Sequence, residues 1–258
     1  MIVPGDPAIA VDVAGEGPMV VFLHGIGGNR DNWRAQVSHL SRRFRAVVWD
    51  ARGYGDSGGI VNNFHDFADD LARLIRHFGA PAHLVGLSMG GRIALDCWSR
   101  SPELIASLTL ADCSAGSAVT ASPERVEAFL AMRRKPLIEQ GKTPADIAAE
   151  IVAGIAGPDI TEDQREVLLD SHRRLKTTAY LATLDVVTRF TAFPDFASVT
   201  VPVQIVVGAE DRIATPGYAA EMAAQFPDAR LAVIPRAGHV SNVEAPDAFN
   251  AVLDAFLP

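Results

Sequence analysis

Short runs of apolar and β-branched residues recur along the chain at 19–23, 46–49, 83–87, 108–111, 203–207 and 231–234. A brief apolar run of this kind, bounded by turn residues, reads as a strand buried on both faces. Between several of these runs the spacing changes. Phe64, Phe67, Leu71, Leu74, Ile75 and Phe78 fall three or four residues apart, which lines their side chains along one helix face. Strands alternating with such helices predict an α/β fold with a mostly parallel sheet covered on both sides. Residues 9–14, closing at the Gly15-Glu16-Gly17-Pro18 turn, are expected as an edge hairpin strand.

The alternation stops after Asp112. Residues 114–194 carry helical spacing without a convincing strand, and strand-type sequence resumes at Val201. Three helix starts are marked by Ser122-Pro123-Glu124, Thr143-Pro144 and Thr161-Glu162-Asp163, each setting a capping side chain ahead of a helical run. The expected organisation is a core formed by 1–113 and 195–258, with 114–194 inserted as a helical cap.

The chemistry-bearing residues fall at the ends of the expected strands. Gly86-Leu87-Ser88-Met89-Gly90-Gly91 follows one strand and opens a helix, the context in which G-x-S-x-G holds a nucleophilic serine on a strained strand-to-helix turn. Ser88 is therefore the candidate nucleophile. Of seven histidines, His39, His65 and His77 lie in polar helical patterns, His83 enters a strand and His172 sits in the cap. His24 opens His24-Gly25-Ile26-Gly27-Gly28, which reads as a backbone-shaping loop. His239, in a loop between the last strand and a C-terminal helix, is the candidate base. A base acting on serine needs a carboxylate to orient it. Asp211, after the strand at 203–207, is the first choice, with Asp112 and Glu210 as rivals. The backbone N–H of Met89 and that of Ile26 are the candidate oxyanion donors. Trp33, near a helix start, is a candidate either for the substrate pocket above that loop or for the core.

Composition narrows the setting. Among 258 residues, 48% are hydrophobic and 21% charged, which supports a packed fold throughout. A net charge of -8 offers no attraction to phosphate backbones or anionic lipid, so neither nucleic acid nor membrane is expected as a partner. Residues 1–10 lack a basic segment followed by an apolar one, and no apolar run is long enough to span a bilayer, so a cytoplasmic location is expected. Cys97 and Cys113 fit no C-x-x-C spacing and are expected as buried thiols. With no H-E-x-x-H, paired-cysteine or dinucleotide motif, neither metal nor other cofactor is expected. Oligomeric state is left open.

Taken in order, His24-Gly25-x-Gly27, Asp50-x-Arg52-Gly53-x-Gly55-x-Ser57, the Ser88 motif, Gly208-x-x-Asp211 and Gly238-His239 resemble the α/β-hydrolase fold family over nearly the whole chain. The resemblance implies an eight-stranded, mostly parallel sheet with a helical cap after the sixth strand, and catalysis through an acyl-enzyme. Within the family, the Ser88 motif and Gly238–Pro246 are most similar to 3-oxoadipate enol-lactonases and related esterases. That implies a small ester or lactone as substrate. Carbon–carbon hydrolases, which more often carry Asn where this chain has Leu87, cofactor-free haloperoxidases and a non-enzymatic ligand receptor remain alternatives. Asp50 and Arg52 are expected to hold their turn, and Asn242 and Glu244 the loop of His239. The cap cations Arg133, Arg134, Lys135, Arg173, Arg174 and Lys176 fit either a substrate carboxylate or a solvated surface. Phe129, Met132, Leu181, Leu184, Phe190 and Phe193 fit either the cap's own core or a pocket roof.

Overall fold

The computed structural model describes residues 1–79, 81–115 and 122–258. Among them, eight strands form one sheet: β1 (Ile2–Val3), β2 (Ile9–Ala14), β3 (Met19–Leu23), β4 (Arg45–Trp49), β5 (Ala82–Leu87), β6 (Ile105–Ala111), β7 (Val203–Gly208) and β8 (Ala229–Ile234). Their order across the sheet is β1-β2-β4-β3-β5-β6-β7-β8. From β4 to β8 every pairing is parallel, whereas β2 runs antiparallel to β4 and β1 antiparallel to β2. This is the mostly parallel sheet that the strand–helix alternation predicted, with the eight strands that the resemblance to the α/β-hydrolase fold family implied.

The central strands show why unbroken apolar runs are needed. In β3, Met19, Val21 and Leu23 enter the core on one face of the sheet, while Val20 and Phe22 enter the core on the other. A strand flanked by helices on both sides has no solvent face, so alternation disappears. The helices are α1 (Arg34–Leu40), α2 (His65–Phe78), α3 (Met89–Arg100), α4 (Pro123–Ile138), α5 (Pro144–Ile155), α6 (Glu162–Arg173), α7 (Thr177–Arg189), α8 (Pro216–Ala223), α9 (Ser241–Glu244) and α10 (Pro246–Phe256). In α2 the expected stripe is buried at Phe67, Leu71, Leu74 and Ile75.

Between β6 and β7 the described residues form four helices, α4 to α7. Three begin where the sequence signals stood, and Thr143 and Thr161 each accept from the backbone N–H three residues on in a capping box. The fourth, α7, has no side-chain cap, so nothing local announced it. Leu130, Leu137, Ile147, Ile151, Tyr180 and Leu184 pack together as a separate small core within these helices.

Two expectations are corrected. Residues 9–14 do not form a hairpin with the strand that follows. β2 pairs instead with β4, and β1 lies outside it, because the turn at 15–18 delivers the chain to the inner, parallel position beside β5. Trp33 is not at a pocket: it is fully buried, its ring 5.1 Å from Phe22 and 5.9 Å from Phe249. Burying an aromatic of this size stabilises the fold by roughly 3 kcal/mol, which favours the core position. Cys97 and Cys113 are free and buried. No helix among the described residues is long and apolar enough to cross a membrane.

Candidate active site

Ser88 stands between β5 and α3 at φ 52° and ψ -111°, a conformation that costs energy for any residue with a Cβ. Its neighbours explain how that is tolerated. A Cβ at Gly86 would lie 2.4 Å from the backbone of Gly90, and one at Gly90 would lie 2.2 Å from the Leu23 carbonyl oxygen. Only glycine lets the three segments close this tightly, and the closure lifts the Ser88 hydroxyl clear of the sheet.

His239 meets Ser88 from the far side of the sequence. Its Nε2 is 3.0 Å from Ser88 Oγ, and its Nδ1 is 2.8 Å from Asp211 Oδ2. With Nδ1–H donated to the carboxylate, Nε2 is left as the acceptor for the serine proton. Asp211 is buried, and its other oxygen accepts from the N–H groups of Ile213 at 2.7 Å and Ala214 at 3.0 Å, which fixes the carboxylate. Burial works against a charged His239 ring, but the Asp211 hydrogen bond and charge, with Asp112 and Glu244 behind them, outweigh it and raise the imidazole pKa. Glu210 is exposed.

Asp112 does not orient the base. One of its oxygens accepts from Gly208 N–H at 2.9 Å, and the other from Ser241 N–H at 2.9 Å and Ser241 Oγ at 2.7 Å. It thereby ties the loop that carries Asp211 to the segment that follows His239. Burial pushes its carboxyl up to about 6. Glu244 performs the loop-holding expected of it, accepting from Gly238 N–H at 3.1 Å, Val240 N–H at 3.3 Å and Gly157 N–H at 2.6 Å. Asn242 instead donates to the Asn32 carbonyl at 3.0 Å, away from the base. Asp50 accepts from Arg30, and Arg52 donates to Asp70 at 2.6 and 2.9 Å, so both hold turns as expected.

The loop after β3 passes close to Ser88: a Cβ at Gly25 would sit 3.3 Å from Ser88 Cβ. His24 shapes it, with Nδ1 donating to the Gly25 carbonyl at 2.8 Å while Nε2 accepts from Ala51 N–H at 3.0 Å. Ile26 and Met89 both line the cavity above Ser88, and neither N–H donates to a protein acceptor among the described residues.

That cavity, about 590 Å³, is lined by Phe129 of α4, Val187 of α7, and Phe190 and Phe193 in the segment after α7. Of the cap's other apolar candidates, Leu184 belongs to the inner core of the inserted helices, Leu181 packs against it, and Met132 is exposed. Four of the six cations singled out between residues 133 and 176 have partners elsewhere. Arg134 pairs with Asp185, Arg173 with Glu166 and Arg174 with Asp31, while Arg133 donates to the Tyr180 hydroxyl. The cation that does line the cavity deep inside is Arg92, on α3. Sequence reading passed over it. The available signal was nearness in sequence: Arg92 lies in the first turn of α3, the helix that opens at Ser88.

The model of the alpha/beta hydrolase family matches residues 20–252, and the chain belongs to that family. It is 26% identical over 250 residues to 3-oxoadipate enol-lactonase 2 of Acinetobacter baylyi, covering 93% of this chain and 88% of that protein. It is 29% identical over 252 residues to 2-(acetamidomethylene)succinate hydrolase of Mesorhizobium japonicum, covering 90% and 85%. Among solved structures, a thermophilic esterase from Thermogutta terrifontis superposes with a TM-score of 0.83 at 28% identity, over 97% of this chain and 93% of the esterase.

Proposed function

We propose that this chain is a serine hydrolase that cleaves a carboxylic ester or lactone of a small, partly apolar molecule through an acyl-enzyme. The observation that carries the reading is the unbroken Asp211–His239–Ser88 hydrogen-bond chain, at 2.8 and 3.0 Å, ending at a serine that lines a cavity. Ser88 Oγ attacks the carbonyl carbon as His239 Nε2 takes its proton, and Asp211 stabilises the imidazolium. The oxyanion of the tetrahedral intermediate accepts from Met89 and Ile26 N–H, and the positive end of α3 adds to this. His239 returns the proton to the leaving alkoxide, then activates water to release the acid. In a lactone the leaving oxygen stays tethered to the acyl group.

Residues 114–194 act in this reading as a cap whose α4 and α7 close the acyl site from above and select for size. The enol-lactonase and esterase relatives favour a carboxylic ester bond as the target. Nitrophenyl acetate and butyrate, a set of lactones and a dienoic diketone, assayed with wild type and Ser88→Ala, test it. Wild type is expected to turn over esters or lactones repeatedly, and Ser88→Ala to lose about four or more orders of magnitude in kcat. Full activity in Ser88→Ala, or cleavage of the diketone alone, would overturn the reading.

A further inference from the structure

We propose that Arg92 holds a carboxylate of the substrate, so that the preferred ester or lactone carries a free acid group besides the carbonyl that Ser88 attacks. This rests on Ser88 being the nucleophile. Arg92 lies in the first turn of α3, four residues after Ser88, and both residues line the cavity.

The guanidinium lacks a counter-charge. Arg92 is 9% exposed, and its hydrogen bond among the described residues runs from Nη2 to the Phe190 carbonyl at 2.6 Å. Nε is buried without a partner. No carboxylate among the described residues lies within ion-pair distance of it, and Ala80 and residues 116–121 contain neither Asp nor Glu. Several other arginines around the inserted helices are paired: Arg134 and Arg189 with Asp185, Arg174 with Asp31.

The surroundings hold the cation without neutralising it. Its guanidinium carbon lies 5.0 Å from the centroid of the Phe193 ring, 5.8 Å from that of Phe64 and 6.0 Å from that of Phe190. Aromatic faces attract a cation but carry no net charge. Burial lowers its pKa to about 10, which leaves it protonated at neutral pH. Nearer the rim, the cavity is lined by Arg125 and Arg189 against Glu127, which itself pairs with Arg189. In a protein of net charge -8, this cationic pocket is a local arrangement. A planar guanidinium that lines a cavity and keeps an unpartnered N–H suits a carboxylate better than a neutral acyl chain does.

Mono-4-nitrophenyl glutarate and adipate, compared with their methyl-capped diesters after subtraction of uncatalysed rates, provide the test. Wild type is expected to favour the free acids by roughly 100-fold in kcat/KM, chiefly through KM. Arg92→Met should collapse that ratio towards one, and Arg92→Lys should keep part of it. A second measurement does not require turnover: Ser88→Ala should bind glutarate in calorimetry, and Ser88→Ala combined with Arg92→Met should not. A wild-type ratio near one, an equal loss on both ester types in Arg92→Met, or glutarate binding indifferent to Arg92 would each overturn the proposal, leaving Arg92 as a clamp on the Phe190 carbonyl. Glutarate binding through Arg92 without cleavage of any ester would overturn the hydrolase reading and leave the carboxylate site standing.

Discussion

His239 is pulled in two directions. Its burial opposes the imidazolium, and the Asp211 hydrogen bond and charge reverse that, so the ring titrates above the ordinary imidazole value of about 6.5. A general base must be neutral to accept the serine proton. Hydrolysis of an uncharged ester should therefore decline as pH falls through that raised pKa, with kcat/KM inflecting above about 6.5. Asp211→Asn removes both the charge and the acceptor that fixes the tautomer. Its kcat should fall about 10⁴-fold, with the acid limb of the profile moving to lower pH. A pH profile of the variant with an unmoved limb would argue that another carboxylate supports the ring. Asp112 is the nearest rival, but its acceptor positions are taken up by Gly208 and Ser241.

The turns after β5, β6, β7 and β8 bring these groups to one edge of the sheet. Parallel strands all end on the same edge, so residues 88, 112, 211 and 239 converge although well over a hundred positions separate the first from the last. Asp112, itself at φ 45°, couples the last two turns. In Asp112→Asn a single amide oxygen replaces two acceptor oxygens, leaving buried donors of Gly208 or Ser241 unpaired. Urea unfolding at about pH 8 should show a loss of roughly 1–3 kcal/mol, and kcat a fall of about tenfold as both loops loosen. Stability and kcat equal to wild type would show that the carboxylate is dispensable there. The elbow at Ser88 was readable from residue types because its constraint is steric and local: Gly86 and Gly90 stand where backbone meets backbone. The role of Asp112 was not, because its three donors come from two distant loops.

The inserted helices share hydrogen bonds with the segments that carry the candidate site residues. His239 N–H donates to the Ile155 carbonyl at the end of α5 at 2.8 Å, Glu244 accepts from Gly157, and Asn32 donates to Ser171 on α6 at 2.9 Å. Displacing α5 or α6 would strip partners from the loop of His239 and from the turn at 30–33. Thermal unfolding followed by far- and near-ultraviolet circular dichroism should accordingly give one coincident transition, and two separated transitions would show that the helices melt independently. The chain's own pattern was enough for the alternation of strands and helices, for three of the four inserted helices, and for the positions of Ser88, Asp211 and His239 at strand ends. Each of these depends on periodicity or on a turn of a few residues. It was not enough for β2 pairing with β4, for Trp33 lying between Phe22 and Phe249, or for which arginines are neutralised. Those outcomes depend on contacts between residues far apart in the chain, and a side chain's burial and partners exist only once the fold has closed around it. Arg92 is the plainest case: an ordinary helical arginine in the sequence becomes, inside the cavity, a buried charge without an anion.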